Sequence, residues 1–287
     1  MSYEAQDLLR LVDLEPIEHN IYRGQNRDIG TGRVFGGQVL AQALVAAQRT
    51  VEEDRPAHSL HGYFILPGDL ERPIVYFVDR LRDGGSFTTR RVTAIQGGKA
   101  IFNLSASFHR QEEGMEHQFD PPDAPDPETL TPEVDQIRAV AHKLPDELRA
   151  VLTQDRPLDI RTVDPVDLFD PEPRPARRRM WLRAAGEVPD DLLRHQALLA
   201  YASDYGLLAT VLQPHGVTIR TPGMQVASLD HALWFHRPVR MDQWHLYVVD
   251  SPSAAGARGF ARGSVYSRDG ALVASVAQEG LTRMRDR

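Results

Sequence analysis

The 287-residue sequence contains no cysteine, which excludes a disulfide framework, a thiolate nucleophile and a cysteine-ligated metal. Lysine is nearly absent too. It occurs only at Lys99 and Lys143, so the basic complement is almost all arginine. The formal net charge of -7 gives no support to a general nucleic-acid role. No run of about 18 or more apolar residues occurs, so no membrane span is expected. The segment from Met1 to Glu18 lacks both a basic start and an apolar stretch, so it is not read as a signal peptide. A cytoplasmic location is the expectation. The G-x-S-x-G elbow of a serine hydrolase is missing, as are H-E-x-x-H and any other clear metal spacing among the 11 histidines. No metal and no cofactor are expected. Gly30-Thr31-Gly32 followed by Gly36-Gly37 lacks the spacing of a dinucleotide loop, and no strong strand leads into it.

What remains is ordinary globular composition, 41% hydrophobic and 25% charged, enough for a packed core in one large domain or two. Leu8, Leu9, Leu11, Val12 and Leu14 mark a short amphipathic helix. A Gly- and Arg-rich stretch to Gly37 precedes an apolar helix over about 38–48. Alternating segments near 58–65, 74–82, 86–96 and 99–109 then predict strands, punctuated by Pro67-Gly68-Asp69, Asp83-Gly84-Gly85 and Gly97-Gly98. Eleven of the 20 prolines fall between Pro121 and Pro175, around one helix expected near 132–153. Afterwards the pattern starts again, with a helix over 190–208 and strands near 225–236, 243–250, 256–267 and 271–283.

The second pass reads as a repeat of the first. Gln96-Gly97-Gly98-Lys99-Ala100-Ile101-Phe102 aligns with Arg268-Asp269-Gly270-Ala271-Leu272-Val273-Ala274, each a tight turn feeding an apolar strand. In that register Arg90 faces Arg262, and Ser59-Leu60 falls near Ser228-Leu229. Two copies of a helix wrapped by an antiparallel sheet make an α+β double hotdog, with halves at 1–115 and 179–287 and a Pro-rich linker at 116–178.

Several local motifs carry a more specific resemblance. Phe35-Gly36-Gly37-Gln38 with its apolar helix, His58-Ser59-Leu60-His61-Gly62-Tyr63-Phe64 and Ser86-Phe87-Thr88-Thr89-Arg90-Arg91-Val92 resemble the first half of the type II acyl-CoA thioesterases. Tyr201-Ala202-Ser203-Asp204, Leu229-Asp230-His231-Ala232-Leu233-Trp234-Phe235, Ala257-Arg258-Gly259-Phe260 and Gln278-Glu279-Gly280 resemble the second half, in order. The match runs over about residues 5–285. It implies hydrolysis of fatty acyl-CoA to free acid and CoA, a double hotdog protomer, and assembly into a homo-oligomer, dimer or tetramer. It also implies a water site of Asp, Thr and Gln, which falls here on Asp204, Ser228 and Gln278. Serine for threonine keeps the hydroxyl but loses the β-branch that restrains χ1.

With no cysteine and no elbow serine, a directly attacking water is the economical chemistry for a thioester. Asp204 would orient it or take its proton, with Ser228 and Gln278 fixing its position. An oxyanion donor is also needed, and a backbone N–H at a hotdog helix start is the candidate. Gly36 and Gly37 let the backbone approach a ligand at such a start. His58 either lines the site or serves as a hydrogen-bonded structural residue. Arg258 and Arg262 either meet CoA phosphates or solvate a strand edge. Aligning Phe35 with His195 puts Leu44 opposite Asp204, and the hairpin register puts Ala106 opposite Gln278, so one centre per repeat pair is expected. Two rivals stand beside this reading. One is a hotdog enoyl-CoA hydratase or dehydratase, which calls for an Asp–His pair, and the other is a non-catalytic acyl-CoA-binding module.

Overall fold

Each half of the sequence folds a long sheet around one apolar helix, as seen in a computed structural model that describes residues 4–30, 32–167 and 169–285. The outermost ends of the two assigned halves, 1–3 and 286–287, lie outside those residues. The first half contains α1 (Ala5–Val12), β1 (Glu15–Glu18), β2 (Ile21–Gly24), α2 (Gly36–Gln48), β3 (Ala57–Phe64), β4 (Ile74–Asp83), β5 (Phe87–Gln96) and β6 (Lys99–His109). Between the halves come α3 (Glu133–Ala139) and α4 (Asp146–Leu152). The second half contains β7 (Leu158–Thr162), β8 (Arg177–Ala184), α5 (Leu192–Ser203), α6 (Leu207–Leu212), β9 (Met224–Ser228), β10 (Asp230–Phe235), β11 (His245–Ala255), β12 (Arg258–Ser267) and β13 (Leu272–Met284).

The strands run β1-β2-β4-β5-β6-β3-β10-β13-β12-β11-β8-β7 across one sheet, and β9 adds to β13. Outward from the central antiparallel pair β3–β10, the order 3-6-5-4-2-1 on one side recurs as 10-13-12-11-8-7 on the other. This is the double hotdog. Helix α2 carries no charge, and 11 of its 13 residues are buried, because it is enclosed by its own sheet and by α5. Its interior polar groups are satisfied: Gln42 Nε2 donates to the Leu11 and Gln25 carbonyls, and Gln42 Oε1 accepts from Tyr76 Oη at 2.6 Å.

The expected linker at 116–178 is too long at its C-terminal end. Strand β7 and the first residues of β8 belong to the second half of the sheet, where β7 takes the outer place that β1 has in the first. Five alternating residues between Pro157 and the prolines beyond Thr162 were too short a signal to separate from their surroundings. The helix expected over 132–153 is two, α3 and α4, because Pro145 interrupts it.

The repeat also needs a shift of register. Arg90 lies opposite Ala106 and Ala261 lies opposite Gln278, so Ala261, not Arg262, holds the place of Arg90. The two arginines face opposite ways. Arg90 is 1% exposed and turns inward, whereas Arg262 turns to solvent and pairs with Asp250. Arg90 donates to Thr50 Oγ1, to the Thr50, Arg82 and Thr89 carbonyls and to Asp83, tying the end of α2 to the β4–β5 hairpin. Arg90→Met removes the guanidinium donor from three carbonyls, Thr50 Oγ1 and Asp83, and is expected to cost about 3 kcal/mol in urea unfolding. Arg262→Met should stay within about 0.5 kcal/mol of the parent. Equal effects of the two would refute the inward role of Arg90.

Candidate active site

The helix expected over 190–208 breaks where the chemistry needs it. Helix α5 starts on an Asp191 side-chain cap and ends at Ser203; Gly206, at φ 82°, then turns the chain into α6. Asp204 is thereby the C-cap of α5 rather than a mid-helix residue. The start of α2 packs against this corner, with the Phe35 ring 5.1 Å from that of Tyr201 and 5.0 Å from that of Tyr205. The Gly37 N–H donates to Asp204 Oδ2 at 2.9 Å. Both glycines are required by space. A Cβ at Gly37 would stand 2.4 Å from the Tyr201 carbonyl oxygen, and one at Gly36 would stand 2.8 Å from Asp204 Oδ2.

Desolvation pushes the Asp204 carboxyl up to about 7, although a side-chain hydrogen bond from Gln278 and the Gly37 N–H both pull it down. A carboxyl that titrates near neutrality within reach of hydrogen-bond donors is suited to proton transfer. Gln278 Nε2 also donates to Ser228 Oγ at 2.8 Å, so all three residues of the implied water site meet.

A β-bulge makes this possible. Ser228 pairs with Gly280, while Ala232 pairs with Ala277, so β9 and β10 together carry one extra residue against β13. Residues three apart on an unbroken strand point to opposite faces. The bulge instead turns both Ser228 and His231 toward Gln278, and splits the strand expected over 225–236. From the sequence, Asp230, His231 and His236 are candidates only for supporting the site from behind it, and of these it is His231 that the bulge brings to Gln278. Its Nδ1 is 2.5 Å from Gln278 Oε1, its Nε2 is 2.9 Å from Ser203 Oγ, and it is 1% exposed. Burial lowers its pKa to about 4. Tyr247 Oη donates to the Ser203 carbonyl at 2.8 Å and closes the network.

Gly36 and Gly37 are thus brought to Asp204, and three other expected residues are not. His58 bonds Ser107 Oγ on the outer side of the sheet, where its ring meets those of Phe87 and His109. It lies six residues along β3 from Phe64, whose ring abuts Gly36, a separation of roughly 20 Å in a strand. Arg258 pairs with Glu279 and Arg262 with Asp250, both on the exposed face of β12. Alternation on the strand turns them away from inward-facing Ala261 and Gln278. In the first half the same bulge occurs between Ala57 and Ser59, so Ala57, not Ser59, holds the place of Ser228. Leu60 pairs with Ala106 there as His231 meets Gln278 here.

Among the described residues no group of three or more His, Cys, Asp or Glu could hold a metal ion, and no helix is long and apolar enough to cross a membrane. A cavity of about 70 Å³ lies beside Tyr205, lined also by Arg27, Ile29, Val151 and Arg156. A larger cleft of about 560 Å³, between Glu133, Arg138, Asp155 and Gly186, does not include Asp204.

Residues 25–109 match the family model described as acyl-CoA thioesterase N-terminal domain, and residues 152–281 match that described as acyl-CoA thioesterase. Acyl-CoA thioesterase 2 of Haemophilus influenzae is 42% identical over 100% of both chains. Acyl-coenzyme A thioesterase 8 of Mus musculus is 41% identical over 96% of this chain and 88% of its own. The crystal structure of acyl-CoA thioesterase II TesB2 from Mycobacterium marinum is similar at a TM-score of 0.80 and 42% identity, covering 97% of this chain and 99% of that one. With likeness at this level along the whole length and the double hotdog in place, the chain belongs to the type II acyl-CoA thioesterases, a family of thioester hydrolases.

Proposed function

We propose that this enzyme hydrolyses fatty acyl-CoA to free fatty acid and CoA by direct attack of a water held by Asp204, Ser228 and Gln278. The observation that carries the reading is the meeting of a carboxyl raised to about 7 with the Gln278 amide and the Ser228 hydroxyl at the start of α2. Asp204 takes a proton from the water as it attacks the thioester carbonyl. The tetrahedral intermediate then expels the CoA thiolate, which leaves with that proton. The Gly37 N–H is already on Asp204 and those of Gln38 and Val39 donate to the Phe35 carbonyl, so the Gly36 N–H is the oxyanion donor that the start of α2 offers. The hydratase alternative calls for an Asp–His pair, whereas His231 stands behind Gln278 with burial keeping it neutral. A cytoplasmic location and assembly into a dimer or tetramer belong to the same proposal, the latter readable by mass photometry.

Thiol release from a series of saturated acyl-CoA chain lengths tests the activity. Free CoA is expected. Hydration of an enoyl-CoA without CoA release, or tight binding without any product, overturns the reading. The pH dependence tests the base. Asp204 must be ionised to accept a proton, so kcat should rise through an acid limb near pH 7 and level off above it. A limb near pH 4, or none, would remove Asp204 as the base.

A further inference from the structure

The first half closes around the same bulge with apolar side chains alone. Ala57, Leu60 and Ala106 occupy the places of Ser228, His231 and Gln278, at 2%, 0% and 1% exposure. The fold therefore does not require a buried histidine here. What it requires in the second half follows from the amide of Gln278, which has a carbonyl end and an NH2 end. Oε1 faces His231, and Nε2 faces Ser228 and Asp204. Nothing in the amide's shape favours one orientation over the other. Its orientation depends on what His231 presents.

We propose that His231 is a positioning residue whose Nδ1–H donates to Gln278 Oε1 and so holds the amide nitrogen toward Asp204 and Ser228. The inference rests on the water site proposed above. A neutral imidazole has one proton, and with that proton on Nδ1 the Nε2 atom must accept. Ser203 Oγ, 2.9 Å away, supplies the donor by turning its single proton to Nε2 and away from the Ala200 carbonyl, which lies 2.8 Å from it, and Ser203 is itself the last residue of α5 before Asp204. A single chain of bonds thus runs from the helix end through His231 and Gln278 back to the carboxyl and hydroxyl that hold the water. Burial keeps His231 at about 4, well below Asp204 at about 7, so the imidazole stays neutral while Asp204 titrates.

Without the Nδ1 donor the amide is free to turn. Its carbonyl then faces the carboxylate, removes a donor and disfavours ionisation, so the Asp204 pKa rises. The other titratable groups facing Asp204 are Tyr205 and Tyr247, both pushed upward by burial and neutral in this range; Arg156 and Glu133 act on Tyr205 from further out. None of them is hydrogen-bonded to the Gln278 amide, whose partners are His231, Ser228 and Asp204, so a change at His231 reaches Asp204 through Gln278.

The experiment compares His231→Leu and His231→Asn with the parent for kcat, KM, the pH profile of kcat and melting temperature. Leucine is the residue that the first half carries at this position. Expected for His231→Leu are a kcat loss of roughly 10- to 100-fold with little change in KM, and an acid limb displaced to higher pH. Asparagine places its amide nitrogen near the Nδ1 position and should restore both. A limb left in place in His231→Leu, or equal losses in the two variants, overturns the proposal, because a purely structural role does not move the titration of Asp204. Should His231→Leu fail to fold, His231→Gln gives the same contrast, its nitrogen reaching toward Ser203 instead of Gln278. The parent reading fails separately. Near-normal turnover in Asp204→Asn removes the water site itself, whereas an inactive Asp204→Asn with a normal His231→Leu removes this inference alone.

Discussion

Asp204→Asn is expected to lower kcat for acyl-CoA hydrolysis by at least about 100-fold while leaving acyl-CoA binding intact. Asparagine keeps the size and an oxygen that can accept from the Gly37 N–H, so the α2–α5 contact survives. It cannot take a proton from water. The same substitution should stabilise the protein at high pH. The folded-state pKa of Asp204, about 7, lies above the usual carboxyl value of about 3.9. Folding therefore favours the protonated form, a contribution fully present below about pH 4 and lost as pH rises through 7. Asparagine is neutral throughout, so its melting temperature relative to the parent should be higher at pH 8 than at pH 4. Turnover within a few-fold of the parent, or a melting difference that does not change with pH, would sink the assignment.

Gly37→Ala should be nearly as damaging, by a different route. Its Cβ would lie 2.4 Å from the Tyr201 carbonyl oxygen and 2.5 Å from the Phe35 ring. A ring can give way, but the carbonyl belongs to the backbone of α5. The start of α2 must retreat, stretching the Gly37–Asp204 bond and displacing the amides beside it. Such overpacking costs about 1–3 kcal/mol of stability, and a misplacement of about 1 Å at a reacting centre can cost about 100-fold in rate. Gly85→Ala is the control, since nothing lies within 4 Å of the added carbon, and its stability should change by less than about 0.5 kcal/mol. Activity near the parent level in Gly37→Ala would mean that the α2 start does not hold the reacting geometry.

The long strands, the two core helices and the repeat were legible in the sequence because each leaves a periodic trace. Helix α2 is apolar on every side, and β5, β6, β12 and β13 alternate over ten or more residues each. Short elements were not legible. Strands β1, β2 and β7 have four, four and five residues, too few for alternation to stand out from Gly- or Pro-rich surroundings. Asp204 and Gln278 were found through local motifs and meet as expected. For His58, Arg258 and Arg262 the sequence leaves a site role and a structural role both open, and their side chains face away from Asp204 because of the strand face each occupies.

The sequence by itself determined the class of fold, the doubling of one unit, the absence of cysteine chemistry and the placing of an acid and an amide only in the second unit. Local composition and periodicity are enough for the first three, because they depend on neighbours along the chain; the acid and the amide are what the family resemblance implies, carried onto the repeat. The tertiary structure decided which side chains converge. The one-residue bulge turns Ser228 and His231 to the same face, the break at Gly206 leaves Asp204 at a helix end, and two glycines admit α2 to within hydrogen-bonding distance of it. Each of these depends on a register or a close approach between segments far apart in sequence. A shift of one residue in a strand reverses its faces, and no local pattern records it.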